Sequence, residues 1–258
     1  MLLGGHSRLV GLGEIASVLR PGPRGLEKTR QVLCSCDQDM EHCVFWGNVA
    51  SALVGKEDAA IEDKYDIVFD TCREVFGNDF TPVDSSKNLG PLETMHQRLK
   101  GNMKVIFLIK DVRAYTVSQL ASAKRKKRGY RYRSAAYHFL RWYRANRAFK
   151  DQLERQNISY FQIGYEELCL LPTQTIEKIC EFLGESYEPS MLSLSNSGNH
   201  VIRGNRMRSQ AGKRNGIMYD HRWFCRNDLN LWTVLFPRIM KFNDVEVYRN
   251  GTVSNWGK

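Results

Sequence analysis

No apolar run in this 258-residue chain approaches the ~20 residues that a membrane-spanning helix needs. The opening stretch, Met1-Leu2-Leu3-Gly4-Gly5-His6, has neither the basic leader nor the long apolar core of a targeting segment. A soluble chain with no membrane span is expected. No internal repeat appears, so repeat architectures are not expected. Seven cysteines are too few for a disulfide-dense scaffold and cannot all pair; a reducing, cytoplasmic setting is the expectation. Negative charge is also in short supply: 28 Asp and Glu stand against 38 Lys and Arg, leaving a formal charge of +10. That balance favours an anionic partner, which can be a nucleic acid, an acidic polysaccharide, an anionic membrane or a nucleotide carrying several phosphates.

What is present suits a packed domain. With 42% hydrophobic and 26% charged residues the composition is that of a globular protein rather than a disordered one. One domain over residues 1–258 is expected. Val105 to Ile109 and Ile158 to Ile163 are buried-strand patterns, and Thr81-Pro82-Val83 leads a shorter one. Helical stretches separate them, which predicts an α/β fold with a parallel β-sheet flanked by helices. Ala135 to Leu153 places Phe139, Trp142, Tyr143, Phe149 and Leu153 on one helical stripe. Thr173 to Leu183 repeats the pattern, and Gly184 stands where a helix stop is expected. Lys56 to Tyr65 is a charged helical stretch running into Ile67 to Phe76, whereas the rest of the N-terminal quarter reads as irregular. Residues 21–65 are assigned as a variable, substrate-side segment, and 196–216 as a polar loop.

The carboxyl end of a parallel strand is where α/β proteins bind ligands, and a following helix N-terminus favours phosphate. Lys110, at the end of the Val105 strand, and Ser118, in the helix after it, are therefore candidate donors to one phosphate group. The plainer alternative is a solvated strand-end charge and a surface hydroxyl. The run Lys110-Asp111-Val112-Arg113 with Ser118 resembles the 3′-phosphate signature of sulfotransferases that use 3′-phosphoadenosine-5′-phosphosulfate (PAPS), with Lys110 in place of the usual arginine. Lysine keeps the charge but loses the two-pronged fork. Tyr165-Glu166-Glu167-Leu168, Pro172 and Phe182-Leu183-Gly184 are similar to a second stretch of that family. Val83-Asp84-Ser85-Ser86-Lys87 is similar to a third, as is the basic loop Arg203-Gly204-Asn205-Arg206-Met207-Arg208 to a fourth.

The resemblance implies transfer of a sulfonate from PAPS to a hydroxyl or amine acceptor, leaving adenosine 3′,5′-bisphosphate. It assigns Lys110, Ser118, Arg203, Gly204, Arg206 and Arg208 to nucleotide binding and Lys87 to charge neutralisation at the transferred group. Glu14, in Leu12-Gly13-Glu14-Ile15, is similar to the family's general base. Relatives also carry a strand and a phosphosulfate-cradling loop before a Leu-Leu-x-x-His helix end; residues 1–258 open at Met1-Leu2-Leu3-Gly4-Gly5-His6. An N-terminally incomplete domain, lacking its first strand and that loop, is the corresponding expectation. A catalytically inactive nucleotide- or anion-binding relative is the rival reading. So is a basic RNA- or polysaccharide-binding protein acting through Lys124 to Arg133, although no nucleic-acid motif accompanies that run. Cys34, Cys36 and Cys43, with His42 nearby, form a Cys-x-Cys…Cys-x-Phe-Trp stretch also similar to part of the family. Three thiols and His42 are the donor set of a Cys₃His zinc site, but their spacing fits no standard zinc module, so buried free thiols or an adventitious disulfide are expected and no metal.

Overall fold

The computed structural model describes residues 2–21, 25–30, 32–87, 90, 92–193, 198–204 and 216–249. They divide into two compact units: Met1–Lys100 with Ser186–Ile217, and Gly101–Glu185 with Met218–Lys258. The first contains β1 (Leu9–Gly13), α1 (Ile15–Val18), α2 (Leu26–Thr29), α3 (Trp46–Ala52), α4 (Ile61–Phe76), β2 (Thr81–Asp84) and α5 (Leu92–Arg98). The second contains β3 (Val105–Ile109), α6 (Val112–Arg125), α7 (Ala135–Arg155), β4 (Tyr160–Gly164), α8 (Tyr165–Leu170), α9 (Pro172–Leu183), α10 (Asn230–Leu235) and α11 (Pro237–Val247).

In the first unit β1 and β2 run parallel, with Leu9 opposite Thr81 and Gly13 opposite Asp84. Every residue of β1 is buried. This strand has no counterpart among those expected from the sequence, because glycines at 11 and 13 break its apolar signature and carry little β preference of their own. Tertiary packing requires one of them: a methyl at Gly11 would lie 1.8 Å from Asn199 Oδ1. The His200 amide donates to the Gly11 carbonyl at 2.8 Å, so the 199–201 segment lies against the strand. Helix α4 ends at Phe76 as its pattern predicts but starts at Ile61, so the expected helical stretch from Lys56 is shorter at its N-terminal end. Tyr65, Val68, Thr71 and Cys72 face inward, Glu62 and Asp63 favour the positive N-terminal end, and Gly77, at φ 100°, ends it. Phe45, Trp46, Leu12, Ile15 and Val49 fill the core here, each fully buried.

In the second unit β3 and β4 pair in parallel from Val105 opposite Tyr160 to Ile109 opposite Gly164. The expected strand at Ile158 to Ile163 thus begins two residues later and extends by one. The parallel pairing predicted from the sequence is present, among the described residues, as two two-stranded ladders, one of them completed by the unpredicted β1. Phe139, Trp142 and Leu153 on α7 are buried, and Phe149 stacks on Phe107 of β3 with centroids 5.0 Å apart. Helix α7 is capped by the Ser134 hydroxyl accepting from the Tyr137 amide, and α9 stops at Gly184 in the left-handed conformation, φ 78°. Among the described residues no helix is long and apolar enough to cross a membrane.

Candidate functional site

Among the described residues, each strand delivers candidate residues at its carboxyl end: Glu14 after β1, Ser85 to Lys87 after β2, Lys110 after β3 and Tyr165 after β4. That is where the dipoles and loops of parallel strands leave room for a ligand.

In the first unit, Gly13 adopts φ 77°, a conformation open to glycine, and turns the chain so that Glu14 leaves the ladder. The Glu14 amide donates to the Arg203 carbonyl at 2.9 Å. Its carboxylate accepts from Lys87 Nζ at 3.0 Å and from Ser17 Oγ at 3.3 Å. Glu14 and Lys87, 73 positions apart, are therefore a contact pair. Asp84 fixes both partners. Its Oδ1 accepts from the Ile15 amide at 3.1 Å, the Ser86 amide at 2.8 Å and Ser86 Oγ at 2.7 Å. Its Oδ2 accepts from the Tyr65 hydroxyl at 2.7 Å, and burial together with the Asp84 charge pushes the Tyr65 phenol well above its ordinary range. The Ala16 amide donates to Ser86 Oγ at 2.9 Å, and the Ser85 amide to the Gly13 carbonyl at 2.7 Å. The Asp-Ser-Ser turn thus ties the ends of β1 and β2 together. Lys87 extends from it with a side chain 81% exposed. Arg203 sends Nε to Thr29 Oγ1 at 2.9 Å, and Gly204 follows it, exposed. Arg206 and Arg208 lie outside the described residues.

In the second unit, Lys110 Nζ lies 3.3 Å from Asp220 Oδ2 and 4.4 Å from the centroid of the Tyr165 ring. Ser118 Oγ approaches the same Asp220 oxygen at 3.5 Å. Arg222 closes on the carboxylate with a fork, Nε to Oδ1 at 2.6 Å and Nη2 to Oδ2 at 2.7 Å. Arg222 and Lys110 together hold the Asp220 carboxyl far below its usual range, against a smaller opposing effect of burial. Lys110 and Ser118, expected to share one phosphate group, both approach one anionic oxygen. The anion is a carboxylate of the chain, which no sequence pattern indicated.

Arg113 takes a different part. It forks onto buried Asp111, Nη2 to Oδ2 at 2.7 Å, and lies over the Trp223 ring at 4.1 Å. Asp111 also accepts from Asn243 at 3.0 Å and Tyr248 at 2.9 Å. Burial alone would raise its pKa, but Arg113 and these donors hold it below the ordinary value. Glu166, 1% exposed, accepts from the Asp111 amide at 3.2 Å through both oxygens. Desolvation and the neighbouring Asp111 charge push its pKa up to about 7.

The cysteine stretch closes on a residue not considered with it. His42 is exposed and pairs with Asp39 at 2.8 Å. Instead Cys34, Cys36 and Cys43 gather with His200, their ligand atoms all within 4.8 Å of one another. Nothing near His200 in the sequence marks it.

The Sulfotransferase family model matches residues 26–189, and the chain belongs to that family. Among solved structures, the sulfotransferase domain from the curacin biosynthetic pathway is similar at 20% identity over 86% of this chain and 82% of that one, with a TM-score of 0.55. That likeness establishes the fold. No curated protein matches.

Proposed function

We propose that this chain is a PAPS-dependent sulfotransferase acting on a hydroxyl or amine acceptor. The observation carrying the reading is the convergence of Lys110 and Ser118 on one anionic oxygen at the end of β3, a donor set suited to the 3′-phosphate of PAPS. A phosphate arriving there displaces Asp220, and the exchange is favourable because phosphate offers more charge and more acceptor oxygens than a carboxylate. The basic loop residues Arg203, Gly204, Arg206 and Arg208 are assigned to nucleotide binding.

Glu14 is the group that takes the acceptor's proton, and Lys87 the one that offsets negative charge building on the oxygen bridging sulfur and phosphorus. Their ion pair is partly exposed, and such pairs contribute at most about 1 kcal/mol, so an incoming anion readily draws Lys87 away. Sulfonate transfer asks the protein for positioning and charge stabilisation rather than covalent chemistry. The rigid Asp84 turn supplies the positioning at Glu14 and Lys87.

Calorimetry with adenosine 3′,5′-bisphosphate tests the nucleotide assignment. Wild type should bind, and Lys110→Ala combined with Ser118→Ala should bind at least tenfold more weakly, as expected for loss of about 1.5–3 kcal/mol of charge-assisted bonding. Equal affinities would sink it. Radiolabelled PAPS with phenolic, sugar, alcohol and amine acceptors then tests transfer.

A further inference from the structure

We propose that Cys34, Cys36, Cys43 and His200 hold a structural zinc ion in the first unit. Four soft or borderline donors on two segments far apart in sequence bring their ligand atoms within 4.8 Å of one another. Zinc bonded at about 2.3 Å to sulfur and about 2.0–2.1 Å to nitrogen, in a tetrahedron, sets sulfurs ~3.8 Å apart and sulfur from nitrogen ~3.6 Å. Cys34 and Cys43 Sγ are 3.7 Å apart, and Cys43 Sγ lies 3.3 Å from His200 Nδ1. The sulfur pair is much too long for a disulfide, which needs about 2.05 Å.

The surroundings are built to hold the donors. The chain carrying the first two thiols turns tightly just after them, with the Asp37 amide donating to the Cys34 carbonyl at 3.0 Å and Asp37 itself at φ 63°. Ser35 stitches the loop to the histidine segment: its Oγ donates to the Asn199 carbonyl at 2.7 Å and accepts from the Val201 amide at 2.9 Å, while its own amide donates to the Val201 carbonyl at 3.1 Å. The Trp46 amide points at Cys43 Sγ at 3.5 Å, the contact a thiolate ligand uses to spread its charge. The Trp46 indole donates to the His200 carbonyl, and the rings of Phe45 and Phe76 lie against the imidazole with centroids 6.1 and 5.3 Å away. Cys34, Cys43 and His200 are buried and Cys36 partly so.

Three thiolates and one imidazole fill a tetrahedron, leaving no open position, so the ion is structural rather than catalytic. Thiolate and imidazole together select zinc over hard cations, and donors this close suit one shared ion better than a multi-iron cluster. Binding releases the thiol protons, so uptake strengthens as pH rises. The ion would clamp the 34–43 loop to the segment that ends in Arg203, whose carbonyl receives the Glu14 amide. This departs from the free-thiol reading of the sequence and is independent of any role in sulfonate transfer.

Elemental analysis of the full chain purified under reducing conditions, with cobalt(II) substitution, decides the matter. The expected result is one zinc per chain, and a cobalt form with the visible bands of a tetrahedral site and thiolate charge transfer. Cys36→Ser and His200→Ala should lose the metal, and His42→Ala should keep it. Three outcomes would overturn the proposal: no zinc as purified and none taken up from added zinc, another metal in its place, or a Cys34–Cys43 disulfide found by mass spectrometry. Zinc retained at full stoichiometry in His200→Ala would overturn the ligand set. Because the wild-type cobalt spectrum reports the donors directly, poor folding of a variant leaves the test intact.

Discussion

At the scale of the residue, the decisive contacts are made by side chains that neutralise one another. Lys110 and Ser118 hold Asp220, and Lys87 holds Glu14. If Asp220 stands in for a phosphate, removing its charge frees the donors. Asp220→Asn should bind adenosine 3′,5′-bisphosphate several-fold more tightly in calorimetry, whereas weaker binding would make Asp220 a supporting residue rather than a competitor. At the other pair, Glu14→Gln removes the proposed proton acceptor, a role whose usual worth is about 10²–10⁴ in rate. That substitution and Lys87→Ala should each lower turnover of labelled PAPS by at least tenfold while leaving nucleotide affinity within about twofold, the pattern of groups that act in the transition state. An equal fall in affinity and turnover would assign them to binding.

At the scale of the element, β3 and β4 end in a buried carboxylate pair whose members titrate in opposite directions. Asp111, held ionised by Arg113, contributes stability above the ordinary carboxylate pKa and loses it as pH falls through its depressed one. Glu166 behaves the other way. Its pKa rises from 4.5 to about 7 on folding, so between those values the folded state keeps a proton that the unfolded chain has released. Its contribution is therefore fully present below pH 4.5 and is lost as pH rises through about 7. The shift corresponds to about 3 kcal/mol at most. Glu166→Gln should then gain stability relative to wild type on going from pH 5 to pH 8, measured by urea unfolding at the two values. A difference between the proteins that does not change with pH would mean that Glu166 is ionised throughout.

At the scale of the whole molecule, the charge of +10 is not spread evenly. Lys124 to Arg128 are exposed where α6 ends, and the turn that follows, Tyr130–Arg133, carries a Tyr130 that is 90% exposed. Arg128 and Arg131 lie over the rings of Tyr132 and Tyr137 at 5.3 and 4.7 Å. A solvated basic surface of this kind attracts polyanions without discriminating among them. Replacing Lys124, Lys126 and Lys127 by Gln should bring elution from a heparin column to lower salt and leave calorimetric affinity for adenosine 3′,5′-bisphosphate unchanged. A matching loss of nucleotide affinity would place this run in the cofactor site.

The sequence by itself determined the strands with continuous apolar runs, the long helices α4, α7 and α9, and the motifs at the ends of β2, β3 and β4. Each is written in neighbouring residues, through a local period or a short run of turn and charge chemistry. Strand β1 was hidden because its two glycines answer to Asn199 and to the turn at Glu14 rather than to strand preference. The partners that complete each cluster were also out of reach. Asp220 meets Lys110 across 110 positions, Glu14 meets Lys87 across 73, and His200 meets Cys43 across 157. No local pattern encodes such a pairing, since it follows from how parallel strands and the segments laid against them bring distant backbone together. Which residues carry charge, thiol or imidazole was therefore legible in the chain, and which of them face one another was decided only by packing.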